Sequence, residues 1–205
     1  MNDEKSPLFP DEVRRLISEH RIFSGGRRHR ELVGELLPEG AVWIDIVVPL
    51  SDVYAQYRHY DEPVLVFASG DPLFFGFTTT LMREFEGRVT KTFPSFSSLQ
   101  MLAHALRLPY HDMRVVSLTG RPWHEFDRAL IERAHKVGVL TDRKNTPATI
   151  AKRMLDYGYT AYRMHVGVLL GGEREETYSL ALEEVVTKDF PHPNCLIIEA
   201  VEPQP

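Results

Sequence analysis

One cysteine, Cys195, is all that the 205-residue chain contains, so no disulfide can close within it. A reducing, cytoplasmic setting is the expectation. Cys195 lies inside the apolar run 194–198 and is expected to be a buried structural thiol. Positive charge is also in deficit: Lys and Arg number 24 against 29 Asp and Glu, for a net charge of −5. That balance argues against a basic surface for nonspecific nucleic-acid binding, so no nucleic-acid partner is expected. No apolar run approaches the length of a membrane span, and no membrane association is expected. The opening residues MNDEK are polar and acidic, unlike a signal peptide. Internal repeats and low-complexity tracts are missing as well. What remains is ordinary globular material, 43% apolar and 26% charged. It suffices for a sizeable core in one large domain or two small ones.

The pattern alternates strand and helix. Residues 21–24, 41–49, 63–69, 89–93, 113–119 and 136–141 read as strands. Between them, helices are predicted over 52–59 with Ser51 as N-cap, and around 75–85, 97–106 and 124–135. Thr146 and Pro147 give an N-cap followed by proline at the first helical position, leading into a helix over 148–157. From residue 162 the character changes: 162–170, 177–187 and 195–201 read as strands with short connections. The expected fold is α/β, with two α/β domains. The sheet is mostly parallel in the first and mixed in the second. A boundary near residues 108–111 gives domains 1–110 and 111–205.

The stretch VLVFASGDPLFFGF, residues 64–77, breaks the best strand of the chain. In open α/β sheets ligands sit beyond the carboxyl ends of the strands, and Ser69, Gly70 and Asp71 occupy such an end. Gly70 lets backbone approach a ligand, and Asp71 offers a carboxylate to a ribose or an amine. The same residues also make an ordinary strand-to-helix turn with Asp71 as N-cap, and spacing alone does not separate the two. Three more strand ends carry similar chemistry. They are PSFSSLQ with Ser97 and Ser98, SLTGRPW with Thr119, Gly120 and Arg121, and TDRKNTPATIA. Each alone is a plausible turn; four in series suggest a ligand rim.

The segments SGGRRH, VFASGDPLFFGF, FPSFSSLQMLAHALRLPYHDMRVVSLTGR and LTDRKNTPATIAKRML resemble the tetrapyrrole (corrin/porphyrin) methylase family. The resemblance runs from about residue 10 to residue 200. Within the family it is to members that methylate C5 of a late precorrin or cobalt-precorrin in cobalamin biosynthesis. It implies a two-domain α/β enzyme that binds S-adenosylmethionine, the methyl donor, in the cleft between domains. On that reading Ser69, Gly70 and Asp71 face the donor, with Ser97 and Ser98 beside them and Thr119 and Gly120 toward the adenosine. Phe74 and Phe75 are expected to wall the cleft or to pack beneath the loop, with core packing the favoured reading. An activated sulfonium needs no metal, so none is expected. Asp71 and His124 are the candidate bases. A polycarboxylate substrate calls for local arginines; Arg27 and Arg121 are the candidates, while Arg30 and Lys144 read as solvated. A homodimer is implied.

Two departures from the family bear on function. Some members carry a second domain that methylates C15 and removes a carboxylate; 205 residues leave no room for it, so C5 methylation is the implied activity, with C15 left to a separate enzyme. The family also opens on a strand and a glycine-rich loop, whereas this chain opens on NDEKSPLFP. An apolar strand of about ten residues is therefore expected upstream of residue 2, completing a β-α-β unit. The alternatives are a methylase of another tetrapyrrole position and a non-catalytic ligand-binding relic without that strand and loop.

Overall fold

The computed structural model describes residues 9–201 and forms two compact units, Met1–Phe96 and Ser97–Pro205. The first unit runs α1 (Asp11–Glu19), β1 (Ile22–Gly25), α2 (Arg27–Val33), a 3-10 turn (Gly34–Leu36), β2 (Val42–Asp45), α3 (Leu50–His59), β3 (Val64–Val66) and α4 (Phe77–Glu84). Its sheet is parallel throughout, in the order β2-β1-β3. Every residue of β1 is buried, as expected for a parallel strand covered on both faces. Ile22 packs with Ile44, Val53 and Leu81 on one face. Phe23, pointing the other way, joins Val13, Ile17, Val33 and Phe67. The one polar side chain in β1 is satisfied: Ser24 Oγ donates to the Ile44 carbonyl at 2.7 Å and lies 2.6 Å from the Tyr57 hydroxyl.

Three details differ from expectation here. β2 stops at Asp45, and α3 starts from Pro49, with Ser51 inside the helix donating to Asp52 Oδ1 rather than capping it. Residues 89–93 form no strand. Val89 and Phe93 instead reach the two cores, while Lys91 pairs with Glu12 and lies 4.9 Å from the Phe93 ring centroid. Apolar contacts are thus made without backbone pairing. The expected strand ahead of the opening loop falls outside the described residues.

The second unit runs α5 (Ser98–Leu106), β4 (Arg114–Ser117), α6 (His124–Ile131), β5 (Lys136–Leu140), α7 (Pro147–Asp156), β6 (Tyr162–Val168), β7 (Glu176–Ala181), α8 (Leu182–Val186) and β8 (Asn194–Ala200). The sheet order is β4-β5-β8-β6-β7, parallel only between β4 and β5. The mixed sheet therefore appears where the tail changes character. One face carries the large core of Phe126, Ile150, Met154, Met164, Leu182 and Leu196.

The units divide between Phe96 and Ser97, ahead of the boundary expected at 108–111, because α5 packs on the other face of this second sheet. Leu99 Cδ1 and Leu102 Cδ1 fill the space that a Cβ on Gly138 or Gly167 would need, at 2.9 and 3.0 Å. The segment 177–187 is only half strand. Leu182 and Val185 are buried at helical spacing, and Glu184 Oε2 accepts the Ala181 N–H at 2.9 Å to start α8. Cys195 is buried as expected. Burial pushes its thiol up to about 12, with the Ser98 hydroxyl pulling the other way.

Candidate functional site

In the first unit the strands β1 and β3 end side by side, with Ser24 in register with Val66. Beyond β3 the chain reaches exposed Ser69, then Gly70 in the left-handed conformation with φ 60°. Asp71 follows, but it does not cap a helix. Its Oδ1 accepts the Leu73 N–H at 2.8 Å and its carbonyl accepts Phe74 N–H at 3.1 Å, closing a turn. The N-cap position of α4 falls to Gly76. Phe74 and Phe75 stack edge to face, 5.2 Å between centroids. Phe75 is left-handed and 42% exposed, so it lies on the surface and not in the expected core. With Leu73, and with Val47 and Val48 after β2, it leaves apolar side chains exposed beyond two strand ends of one sheet.

Beyond β1 the geometry is tighter. A Cβ on Gly25 would meet His29 Cβ and Trp43 Cζ2, each at 3.0 Å, so glycine there lets the His29 ring close over the strand end. His29 Nδ1 accepts the Gly26 N–H at 3.1 Å and its Nε2 lies 2.9 Å from Ser69 Oγ. Burial first, and the neighbouring Arg28 second, lower the imidazole to about 4. Arg27, a candidate for substrate carboxylates, is 93% exposed on its side chain and pairs with Glu31 at 3.1 Å.

In the second unit Ser97 is buried, and its hydroxyl accepts the Gln100 N–H at 3.2 Å while Gln100 Oε1 accepts the Ser97 N–H at 2.9 Å. This reciprocal pair starts α5, so the N–H and the hydroxyl oxygen of Ser97 both serve the helix start. Ser98 is half-buried. Beyond β4, Thr119 and Gly120 are exposed. Thr119 Oγ1 donates to the Thr141 carbonyl at 2.9 Å, and Gly120 is left-handed at φ 61°. Arg121 is exposed beside them. His124 opens α6 with a 69% exposed side chain, its Nε2 3.4 Å from Glu125 Oε1.

The residue that orders this second strand end was quoted in the sequence without a role. Asp142 Oδ2 accepts the Gly120 N–H at 2.8 Å, while Oδ1 accepts from Lys144 N at 2.9 Å and Asn145 N at 2.6 Å. Asn145, buried, donates from Nδ2 to the Leu118 carbonyl at 2.8 Å. Burial alone would raise the Asp142 carboxyl, but the N–H donors of Asn145, Gly120 and Lys144 outweigh it and hold it below the usual carboxylate range. An aspartate three residues ahead of an asparagine, before a Thr-Pro helix start, was the available signal for this turn. His29 lies within the segment SGGRRH, where sequence reasoning gave it no role. Among the described residues no cluster of His, Cys, Asp and Glu is arranged to hold a metal ion. No helix there is long and apolar enough to cross a membrane.

Comparison with known proteins gives relatives in sequence and in fold. A precorrin-6Y C(5,15)-methyltransferase [decarboxylating] from Sinorhizobium sp is 34% identical over 167 residues, covering 80% of this chain and 40% of that protein. A cobalt-precorrin-7 C(5)-methyltransferase from Salmonella typhimurium is 31% identical over 166 residues, covering 79% of this chain and 78% of that protein. The chain thus spans well under half the length of the first relative and most of the second. Among solved structures, uroporphyrin-III C-methyl transferase from Thermus thermophilus, complexed with S-adenosyl homocysteine, shares the fold at a TM-score of 0.69. Its identity is 21%, over 97% of this chain and 90% of that one. Residues 8–186 match the family described as Tetrapyrrole (Corrin/Porphyrin) Methylases, and the chain belongs to that family.

Proposed function

We propose that the protein is an S-adenosylmethionine-dependent C-methyltransferase acting at C5 of a late precorrin or cobalt-precorrin in cobalamin biosynthesis. The observation that carries this reading is the match to the Salmonella relative over 78% of its length, since that protein is named for C5 alone. The Sinorhizobium relative is named for C5 and C15 together. A separate enzyme for C15 methylation and decarboxylation, a homodimeric state and a cytoplasmic location complete the proposal on the family resemblance.

The residues of the chain suit the two ligands. Left-handed Gly70 and Gly120 each follow an exposed hydroxyl residue, Ser69 or Thr119, an arrangement that suits close approach of a polar ligand such as the methyl donor. S-adenosylmethionine brings an already activated methyl group on its sulfonium. Asp71 keeps Oδ2 for a ligand while Oδ1 holds its own turn. Val47, Val48, Leu73 and Phe75 suit the apolar face of a macrocycle, and Arg27 and Arg121 suit its carboxylates. The protein's contribution to rate is then mainly the alignment of two bound partners. His124, exposed beside Glu125, and Asp71 are the groups proposed to take the proton that C5 releases.

The test is incubation with S-adenosylmethionine and late precorrin and cobalt-precorrin intermediates, followed by mass analysis. One added methyl mapped to C5 is the expected product. Methylation at another carbon would move the assignment within the family. Binding of both ligands without any mass gain would support a non-catalytic protein.

A further inference from the structure

His29, in the first turn of α2 after β1, and Ser69, in the loop that leaves β3, stand 40 residues apart in sequence and 2.9 Å apart in space. The direction of the hydrogen bond between them is fixed by a third group. The Gly26 backbone N–H can only donate, and it points at His29 Nδ1 at 3.1 Å. Nδ1 must therefore be the unprotonated nitrogen of a neutral ring, which places the ring proton on Nε2. Nε2–H then donates to Ser69 Oγ, and the serine's own hydrogen is turned away from the ring. Ser69 is exposed, and that hydrogen is left for an acceptor other than the ring. An imidazole held this way cannot act as base toward the serine, which rules out reading the pair as a hydrolytic dyad.

We propose that His29 is a positioning residue for methyl-donor binding: its Nε2–H fixes the Ser69 hydroxyl as an outward hydrogen-bond donor to an acceptor oxygen of S-adenosylmethionine. This rests on the function proposed above. Burial and Arg28, which hold the imidazole near 4, keep the ring neutral and the direction of donation constant through neutral pH. Gly25 serves the same end, because a side chain there would push His29 Cβ off the strand end. A freely rotating hydroxyl has to be ordered when a ligand binds; one already oriented does not.

The test uses calorimetric titration with S-adenosylhomocysteine on wild type, His29→Phe, His29→Gln, Ser69→Ala and the His29→Phe/Ser69→Ala double variant. Melting curves accompany each variant. His29→Phe and Ser69→Ala are each expected to weaken binding about three- to tenfold, the range of one neutral hydrogen bond. The double variant should be no weaker than Ser69→Ala alone, and His29→Gln, whose amide N–H can replace Nε2–H, should recover most of the loss. Nitrogen NMR of the ligand-free protein should show Nε2 protonated and Nδ1 bare. Wild-type affinity in a folded His29→Phe, additive losses in the double variant, or a proton on Nδ1 would each overturn the proposal while leaving the methyltransferase reading intact. Failure of wild type to bind any S-adenosyl compound would instead overturn that reading, and this inference with it.

Discussion

Replacing Asp142 by alanine takes away the shared acceptor of Gly120 N, Lys144 N and Asn145 N. Hydrogen bonds to a charged acceptor are worth about 1.5–3 kcal/mol each, but the three do not simply add. Gly120 and Lys144 are exposed, so water takes over their N–H groups at small net loss. Asn145 is buried, and its N–H is left without a partner. The expected destabilisation is therefore about 2–3 kcal/mol, or roughly 5–10 °C in melting temperature for a chain of this size. Asp142→Asn keeps one acceptor oxygen and should fall between wild type and alanine. The acid dependence gives a second check. The folded-state carboxyl lies below its ordinary value of 3.8, so it contributes stability above that pH. The contribution disappears as pH falls from there through the lower folded value. Wild type should lose part of its margin over the alanine variant below about pH 4. Equal melting temperatures at pH 7, or a margin that does not shrink in acid, would refute the reasoning.

Asp71→Ala should lower both donor affinity and thermal stability, because the carboxylate closes a turn through Oδ1. Asp71→Asn, which retains that acceptor, should lower affinity at nearly unchanged melting temperature; calorimetry with unchanged affinity would remove Asp71 from the site. Arg121→Ala should raise the KM for the tetrapyrrole far more than that for the donor, and the opposite pattern in steady-state kinetics would reverse the assignment. Cys195, buried and with its thiol pushed up to about 12, should be silent to a thiol-specific reagent at pH 8 until the protein is unfolded. Rapid labelling of the native protein would contradict its burial.

Much of the fold was legible because its signals are local. The apolar strands and the Thr146-Pro147 helix start follow from residues within a few positions of one another. Errors arose where tertiary contacts overrode a local pattern. Residues 89–93 have the apolar content of a strand but satisfy it by reaching two cores without pairing. Residues 182–186 continue an apparent strand, yet Leu182 and Val185 meet the core at helical spacing. The domain boundary moved because α5 packs where Gly138 and Gly167 have no side chains, a fit that is apparent only once the strands are aligned.

The strand-end residues were legible for the same local reason, and the residues that hold them were not. Ser69 and Gly120 announce themselves through turn chemistry. His29 and Asp142 reach them across 40 and 22 residues, and only the parallel pairing of β1 with β3 and of β4 with β5 brings those strand ends together. The two pairs solve one physical problem in each unit. A left-handed glycine beside an exposed hydroxyl gives a ligand close access to backbone, but it also makes a floppy loop whose ordering would be charged against affinity. In the first unit a neutral imidazole, oriented by a backbone N–H, fixes the hydroxyl. In the second a carboxylate below its usual range fixes the glycine N–H, while the Thr119 hydroxyl is tied to the Thr141 carbonyl. On the proposed function, neither holding residue need touch a ligand to govern its binding. Sequence motifs centred on the turn therefore identify the exposed residues of each strand end and miss the distant residues that hold them in place.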